Sequence, residues 1–171
     1  MRTPFILLSL LALVCMAVTT ACSNVGCTEN RNSIPIAGFY SSTTLDPITI
    51  DSIAVGGVGA PADSLLLRNK GSQVYLPFRA TANETKFYIK YLQKELNYPQ
   101  FYDTVSFAYT SVPYFASEDC GAMYHYRITS LTYTTHVLDS VAVLDSLITN
   151  LERETIRIFF RTAEADQPDE P

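Results

Sequence analysis

Alternation of apolar and polar residues runs through most of this chain and constrains its fold more than any other feature. Phe87, Ile89 and Tyr91, for example, are each separated by one lysine or tyrosine. A repeat of two residues places every second side chain on one face, which is typical of half-buried strands rich in β-branched and aromatic residues. The sequence therefore predicts a chain built of strands.

Candidate strands follow one another at regular spacing, and no stretch carries a convincing apolar stripe of the helical period. Such spacing indicates an all-β fold, an antiparallel β-sandwich of about 8–10 short strands that is immunoglobulin-like in style. The strongly alternating segments are residues 86–91, 104–109, 124–129 and 156–161, and the shorter candidates are residues 36–42, 48–55, 64–68, 73–78, 131–136, 137–144 and 146–150.

The first 22 residues resemble a bacterial lipoprotein signal. Arg2 precedes a short apolar run at residues 5–18, and small residues lead from this run to Cys22. A transmembrane helix needs about 20 apolar residues, so the run is too short to span a bilayer. We therefore expect cleavage before Cys22 and lipidation of its side chain, with ordinary secretory cleavage near Ala21 as the alternative.

The residues after Cys22 suggest where the lipoprotein would be sorted. Ser23 stands there instead of an aspartate, and by resemblance to other lipoproteins this predicts an outer-membrane location. Residues 24–26 are not acidic, which favours a periplasm-facing position over a surface-exposed one. The lipid anchor is then the expected membrane contact.

Removal of residues 1–21 leaves 150 residues, enough for one domain with a substantial core. The removed piece contains one basic residue and no acidic one, so the formal charge changes from −5 to −6. This acidic balance argues against a nucleic-acid partner. We expect an anchor tether at residues 22–33, a β-sandwich domain at 34–162 and a disordered acidic tail at 163–171.

Cys27 and Cys120 remain once Cys15 and Cys22 are assigned to the signal. An oxidising compartment and an even number of cysteines favour a disulfide between them, worth about 4–5 kcal/mol in the chain-entropy model for a loop of roughly 90 residues. A metal site is the alternative, but these two cysteines lack the close paired spacing of zinc sites. We expect no metal and no other cofactor.

Five short segments are informative as a set, at residues 27–30, 37–40, 72–77, 120–124 and 133–136. Together they resemble an uncharacterised family of small Bacteroidetes lipoproteins, and the resemblance covers nearly all of residues 22–161. The resemblance implies no known activity, but it supports the lipid anchor and the Cys27–Cys120 pairing, and it suggests a role beside an outer-membrane β-barrel protein.

The chain offers few candidates for catalysis. His125 and His136 could meet in space, but ordinary strand histidines explain them better. Glu118 and Asp119 could form an acid pair for hydrolysis, yet a solvated turn beside Cys120 is the simpler interpretation. We therefore expect a protein without enzymatic activity, with a structural or protein-interaction role. A glycan- or peptide-binding module is the second hypothesis and a hydrolase the third.

One aromatic group is a candidate interaction tip. The chain has 11 tyrosines and nine phenylalanines, and those that alternate along strands are expected to be core. Tyr98, Phe101 and Tyr102 instead surround Pro99 in the long connection predicted at residues 91–103. Loops that are positioned by a rigid scaffold often carry binding residues.

The sequence Asp, then Ser or Thr, then an aliphatic residue occurs five times, where ordinary abundances give roughly one. The structural explanation is that Asp and Ser start strands after turns by bonding their own backbone. The tripeptide is also similar to the acceptor site of the general O-glycosylation system of exported Bacteroidetes proteins. The candidate acceptors are Ser52, Ser64, Thr104, Ser140 and Ser146.

Overall fold

The computed structural model describes residues 26–61 and 64–162. The predicted signal peptide, the lipidation residue Cys22 and the predicted tail at 163–171 lie outside the described residues. Within the described ranges, no helix is long and apolar enough to cross a membrane. The elements are β1 (Ile36–Ser41), β2 (Ile50–Gly57), β3 (Leu65–Gly71), β4 (Gln73–Tyr75), β5 (Glu84–Tyr91), a 3-10 turn (Pro99–Phe101), β6 (Asp103–Ser117), β7 (Gly121–Tyr133), β8 (Leu138–Val143), β9 (Leu147–Ile148) and β10 (Glu154–Phe160).

The strands form two sheets, which confirms the predicted all-β sandwich. The four-stranded sheet has the order β4-β1-β10-β8, and the six-stranded sheet has the order β3-β2-β5-β6-β7-β9. Neighbouring strands are antiparallel except for β1 and β10, which run parallel. Alternation along single strands carries no information on strand direction, so the sequence did not predict this parallel pair.

The core lies between the sheets and contains most of the alternating residues that the pattern identified, whereas the prediction is wrong for Tyr124, which is 46% exposed near the end of the β6–β7 hairpin. Phe87, Ile89 and Tyr91 of β5 are all buried. The rings of Phe39 and Phe160 meet edge to face with centroids 5.3 Å apart, and Tyr91 meets Phe160 across the two sheets at 6.4 Å. Each such aromatic pair stabilises the fold by about 0.5–1.5 kcal/mol beyond its buried area.

The β6–β7 hairpin extends past the body of its sheet. β5 pairs with β6 only as far as Ala108, whereas β7 continues to pair with β6 as far as Ser117. The N–H of Tyr109 still donates to Asn83 O at 2.9 Å on this edge of β6. Further along, no strand of the described residues pairs with the edge, and Pro113 is tolerated there although it has no N–H to donate. The predicted division of residues 124–136 into two strands is wrong, because β7 is one strand that pairs with β6 on both sides of a register shift and ends at Tyr133.

The strand directions define two ends of the sandwich. The connection between β5 and β6, residues 92–102, lies at one end, and the β6–β7 turn lies at the other. A rise of about 3.3 Å per residue places the two ends of the β6 strand roughly 45–50 Å apart. We call residues 112–124 the hairpin end, and we call residues 92–102 with the side chains around them the loop end.

Candidate functional site

The predicted disulfide joins the N-terminal segment to the hairpin end. Cys27 and Cys120 are bonded, with Cα atoms 4.7 Å apart and a sequence separation of 93. Cys120 follows Glu118 and Asp119 in the β6–β7 turn, and its N–H donates to Ser117 Oγ at 3.0 Å. The disulfide prediction is confirmed, so neither cysteine is free to act as a metal ligand.

Exposed apolar side chains surround the hairpin end on both faces. Directly paired residues of antiparallel strands share a face. The register therefore places Val112 and Tyr114 on one face and Phe115 and Tyr124 on the other. Phe115 is 65% exposed and Tyr124 is 46% exposed, while the ring of His125 stacks on Tyr114 at 4.3 Å. Both faces of the hairpin end therefore carry exposed apolar side chains.

Sequence reasoning missed the hairpin end. Residues 112–116 read Val-Pro-Tyr-Phe-Ala, five apolar residues in succession, directly after the alternating segment 104–109. Alternation identifies strands with one buried face and overlooks a segment that is apolar on both. The signal was present as an uninterrupted apolar run directly before the acidic turn at Glu118 and Asp119.

A groove of about 490 Å³ opens at the loop end. Ile50, Leu96 and Val137 line it with partly buried apolar side chains that pack against the core. Tyr91 and Phe160, both buried, also reach its wall. The groove therefore continues the core to the surface, where polar residues such as Asp51 and Arg161 complete its lining.

The predicted interaction tip lies in the same connection as Leu96. Tyr98 is 51% exposed and packs edge to face against Phe101, with centroids 6.4 Å apart. Tyr102 donates from its hydroxyl to Asn97 Oδ1 at 2.6 Å, and its ring lies 5.8 Å from Lys90 Nζ. The three aromatic residues are thus held at one end of the sandwich, and only Tyr98 projects freely into solvent.

Asp103 fixes the loop end to the β7–β8 connection. Its side chain is fully buried, and both carboxylate oxygens accept hydrogen bonds. Because this connection passes from one sheet to the other, the carboxylate ties the two sheets together. The donors, at 2.7–3.0 Å, are Tyr91 Oη, Thr134 Oγ1 and the backbone N–H groups of His136, Val137 and Leu138.

The hydrogen bonds decide the charge state of this buried carboxyl. Burial alone would raise the pKa of Asp103, but the N–H groups of Leu138 and His136 and the Thr134 hydroxyl outweigh it and hold the pKa below its usual value. Burial and the neighbouring carboxylate raise the pKa of Tyr91, so its hydroxyl stays a donor. Asp103 is therefore a charged structural residue that has no access to a substrate.

The histidines do not form a catalytic pair. His125 pairs with Val112 near the hairpin end, and His136 lies beyond the other end of β7, beside Asp103. The strand between them separates the two rings by roughly 35 Å. Among the residues that the structure describes, no group of three His, Cys, Asp or Glu side chains could hold a metal ion.

The five candidate acceptor hydroxyls lie at the surface to different degrees. Ser64, Thr104 and Ser146 are exposed, whereas Ser52 and Ser140 are half-buried. Ser64, Thr104 and Ser146 precede or begin a strand, as the structural explanation requires, and the other two lie inside β2 and β8.

Local geometry separates these sites further. Ser52 has a φ of 63° at a bulge of β2, a left-handed conformation that is uncommon for serine. Asp145 Oδ1 accepts the N–H of Leu147 at 2.9 Å, a side-chain-to-backbone bond of the strand-starting kind. The hydroxyl of Thr104 is exposed, but the preceding Asp103 is buried.

Comparison with known proteins identifies the family. Residues 48–160, more than half of the chain, match the model of a family of unknown function (DUF6452). The chain belongs to this family. No curated protein and no solved structure matches it. The DUF6452 match includes the loop end and the hairpin end, and it begins after Cys27 and β1.

Proposed function

We propose that this DUF6452 protein is a non-catalytic envelope lipoprotein of the outer membrane, anchored through acylated Cys22, that presents its loop end to a protein partner in the periplasm. The disulfide supports this arrangement, because it fixes the segment after Cys22 to the hairpin end. Five residues from Cys22 to Cys27 span at most about 17 Å when extended. The loop end then lies on the side of the domain away from the membrane.

The side chains of the loop end suit a protein partner. The exposed Tyr98 packs against the half-buried Phe101, and the groove opens beside them at Leu96. Aromatic anchors next to an apolar depression carry most of the binding energy in protein interfaces. The resemblance to small envelope lipoproteins adds an outer-membrane β-barrel protein as the partner that we propose.

Photo-crosslinking in intact cells tests this partner. A photoreactive residue at position 98 should give one discrete adduct that contains an outer-membrane β-barrel protein. The same residue at position 75 is the matched control, because Tyr75 is an exposed tyrosine on the four-stranded sheet, away from the loop end. Equal adducts at both positions, or none at position 98, would contradict the proposal.

Truncation of the aromatic pair should weaken the same complex. Loss of one hot-spot aromatic side chain costs about 2 kcal/mol of binding energy, which is more than tenfold in affinity. We therefore expect Tyr98→Ala with Phe101→Ala to abolish co-purification of the partner. Tyr75→Ala should leave it unchanged, and far-ultraviolet circular dichroism of both variants checks that the sheets are retained.

The groove supports a second candidate, a glycan- or peptide-binding module. Its volume of about 490 Å³ is within the range of small-molecule sites. A ligand that binds only the folded protein raises its thermal midpoint in a saturable manner. Such a shift with periplasmic glycan fragments or peptides, lost in Leu96→Asp, would favour this candidate over the protein partner.

We also propose O-glycosylation at Ser64 and Ser146, two of the three exposed acceptors, because Asp103 before the third, Thr104, is buried. Intact mass of the native protein should exceed the mass of the lipidated polypeptide, and Ser64→Ala with Ser146→Ala should remove the excess. Ser140→Ala is the control, since that half-buried hydroxyl lies inside β8. A bulky sugar is tolerated only at exposed positions. A native mass equal to the lipidated polypeptide would exclude the modification at all five sites.

A further inference from the structure

The exposed apolar side chains of the hairpin end are not explained by a partner that binds at the loop end. We propose that the hairpin end inserts its exposed aromatic side chains into the headgroup region of the bilayer that holds the anchor. This inference rests on the proposed lipid anchor at Cys22. It adds a second membrane contact, formed by the fold itself, which sets the orientation of the domain.

The path of the chain brings this surface to the bilayer. Cys27 lies five residues after the proposed anchor, and the disulfide holds it against Cys120 with a Cα–Cα distance of 4.7 Å. Phe115 pairs with Ala122, two residues beyond Cys120, so it lies at the same end of the hairpin. The extended reach of five residues is at most about 17 Å. The hairpin end therefore remains close to the headgroups, whereas the loop end lies roughly 45–50 Å further along β6.

The side chains at this end match the chemistry of the membrane interface. Tyr114 and Tyr124 have an apolar ring and a polar hydroxyl, and such residues concentrate where the bilayer meets water. Phe115 and Val112 add purely apolar surface on both faces of the hairpin. A flat protein partner would cover one face of the hairpin, whereas a fluid interface surrounds both. Only the inward-facing backbone groups of the hairpin end are paired, because no further strand of the described residues pairs with its outer edges. The outward-facing N–H groups must stay hydrated, which confines insertion to the headgroup region.

The charges at the turn indicate the kind of lipid surface. Glu118 and Asp119 are both exposed beside the disulfide, and the mature chain has a net charge of −6. Anionic headgroups would repel this end. The aromatic residues therefore dock onto a zwitterionic surface, such as one rich in phosphatidylethanolamine, and binding depends on apolar contact with little contribution from charge attraction.

The absence of tryptophan from the chain allows a direct test. Phe115→Trp introduces a single fluorophore at a position that is 65% exposed, and Tyr98→Trp introduces one at a position that is 51% exposed at the loop end. Each lipidated protein is reconstituted into phosphatidylethanolamine–phosphatidylcholine vesicles with brominated acyl chains. We expect a shift to shorter emission wavelength and strong quenching for Phe115→Trp, and neither effect for Tyr98→Trp.

Flotation of the same vesicles separates failure of the anchor from failure of this inference. If both variants float with the vesicles but show equally weak quenching, the proposed anchor stands and the proposed insertion of the hairpin end is wrong. Protein that does not float overturns both. A third outcome would also overturn the proposal: the emission of Phe115→Trp is not quenched in vesicles, yet in native envelopes iodide cannot reach the tryptophan. In that case a protein, and not lipid, covers the hairpin end.

The disulfide provides a further control. In Phe115→Trp with Cys27→Ala and Cys120→Ala, the anchor no longer holds the hairpin end, so flotation should persist while quenching falls. Added anionic lipid should lower the quenching of Phe115→Trp because of Glu118 and Asp119. Quenching that increases with anionic lipid would contradict the proposed surface.

Discussion

The change Asp103→Asn should destabilise the protein by about 3–5 kcal/mol, the largest effect that we expect from a single isosteric substitution. An amide can accept hydrogen bonds through only one oxygen. It must therefore turn its NH₂ group toward either the donors at Oδ1 or those at Oδ2, among them the N–H groups of His136 and Leu138. Each buried donor that loses its acceptor costs about 1–3 kcal/mol. Urea denaturation followed by circular dichroism measures the loss.

Asp51→Asn is the matched control for this change. Asp51 precedes a serine as Asp103 precedes a threonine, but its carboxylate is exposed and pairs at the surface with Lys70 at 3.0 Å. Exposed ion pairs contribute little to stability. We expect the denaturation midpoint of Asp51→Asn to stay close to that of the unaltered protein. An equally small effect of Asp103→Asn would show that water or a rearrangement satisfies the donors around it.

The same carboxylate should make the fold sensitive to acid. The pKa of Asp103 is lower in the folded protein than in the unfolded chain, where it is about 3.9. The stability that its charge contributes is therefore complete above that value and is lost as the pH falls through the lower, folded pKa. The free energy of unfolding should decrease as the pH falls below about 4, and this slope should be smaller in Asp103→Asn.

Removal of the disulfide should cost about 2–4 kcal/mol. The bond closes a loop over a sequence separation of 93, which restricts the unfolded chain. The chain-entropy figure of about 4–5 kcal/mol is an upper value here. Residues 26–32 lie outside the strands and gain freedom in the folded state when Cys27 is released. Denaturation with and without reductant gives the difference directly.

Thiol chemistry supplies the check on this second result. Neither Cys27 nor Cys120 should react with an alkylating reagent until reductant is added. The double variant Cys27→Ser with Cys120→Ser should match the reduced protein in stability and should no longer respond to reductant. Quantitative alkylation of both residues in the native, unreduced protein would contradict the bond.

The strands were predictable because buried and exposed residues alternate along most of them, as the apolar and polar residues of the sequence do. Phe87, Ile89 and Tyr91 are buried as the pattern requires, and so are Ile156, Ile158 and Phe160. The long β6–β7 hairpin was only partly predictable, since residues 112–116 of β6 are apolar in succession and do not alternate. Strand order and the parallel β1–β10 pair depend on contacts between distant segments, which periodicity along the chain does not encode.

The candidate sites were likewise only partly predictable from the sequence. Tyr98, Phe101 and Tyr102 were identified because a proline-bearing aromatic connection between strands is visible in sequence. The groove beside them was not, because it is formed by Ile50 and Val137 from distant parts of the chain. The only sequence signal at Asp103 was the repeated tripeptide of Asp, Ser or Thr, and an aliphatic residue. Most groups that donate hydrogen bonds to its carboxylate come from residues 134–138, which are distant in sequence.

The parallel pairing of β1 with β10 makes completion of the four-stranded sheet wait for the last strand of the chain. Tyr40 and Glu154, which bond through the tyrosine hydroxyl, are 114 residues apart, and β1 gains β10 as a neighbour only after nearly the whole described chain has been synthesised. Until then β1 has only the three-residue β4 as a neighbouring strand in its sheet. Non-local pairing of this kind forms slowly. Under the export that we propose, this delay would keep the chain unfolded while it crosses the membrane, and it would leave an apolar strand for chaperones to shield until the last strand arrives.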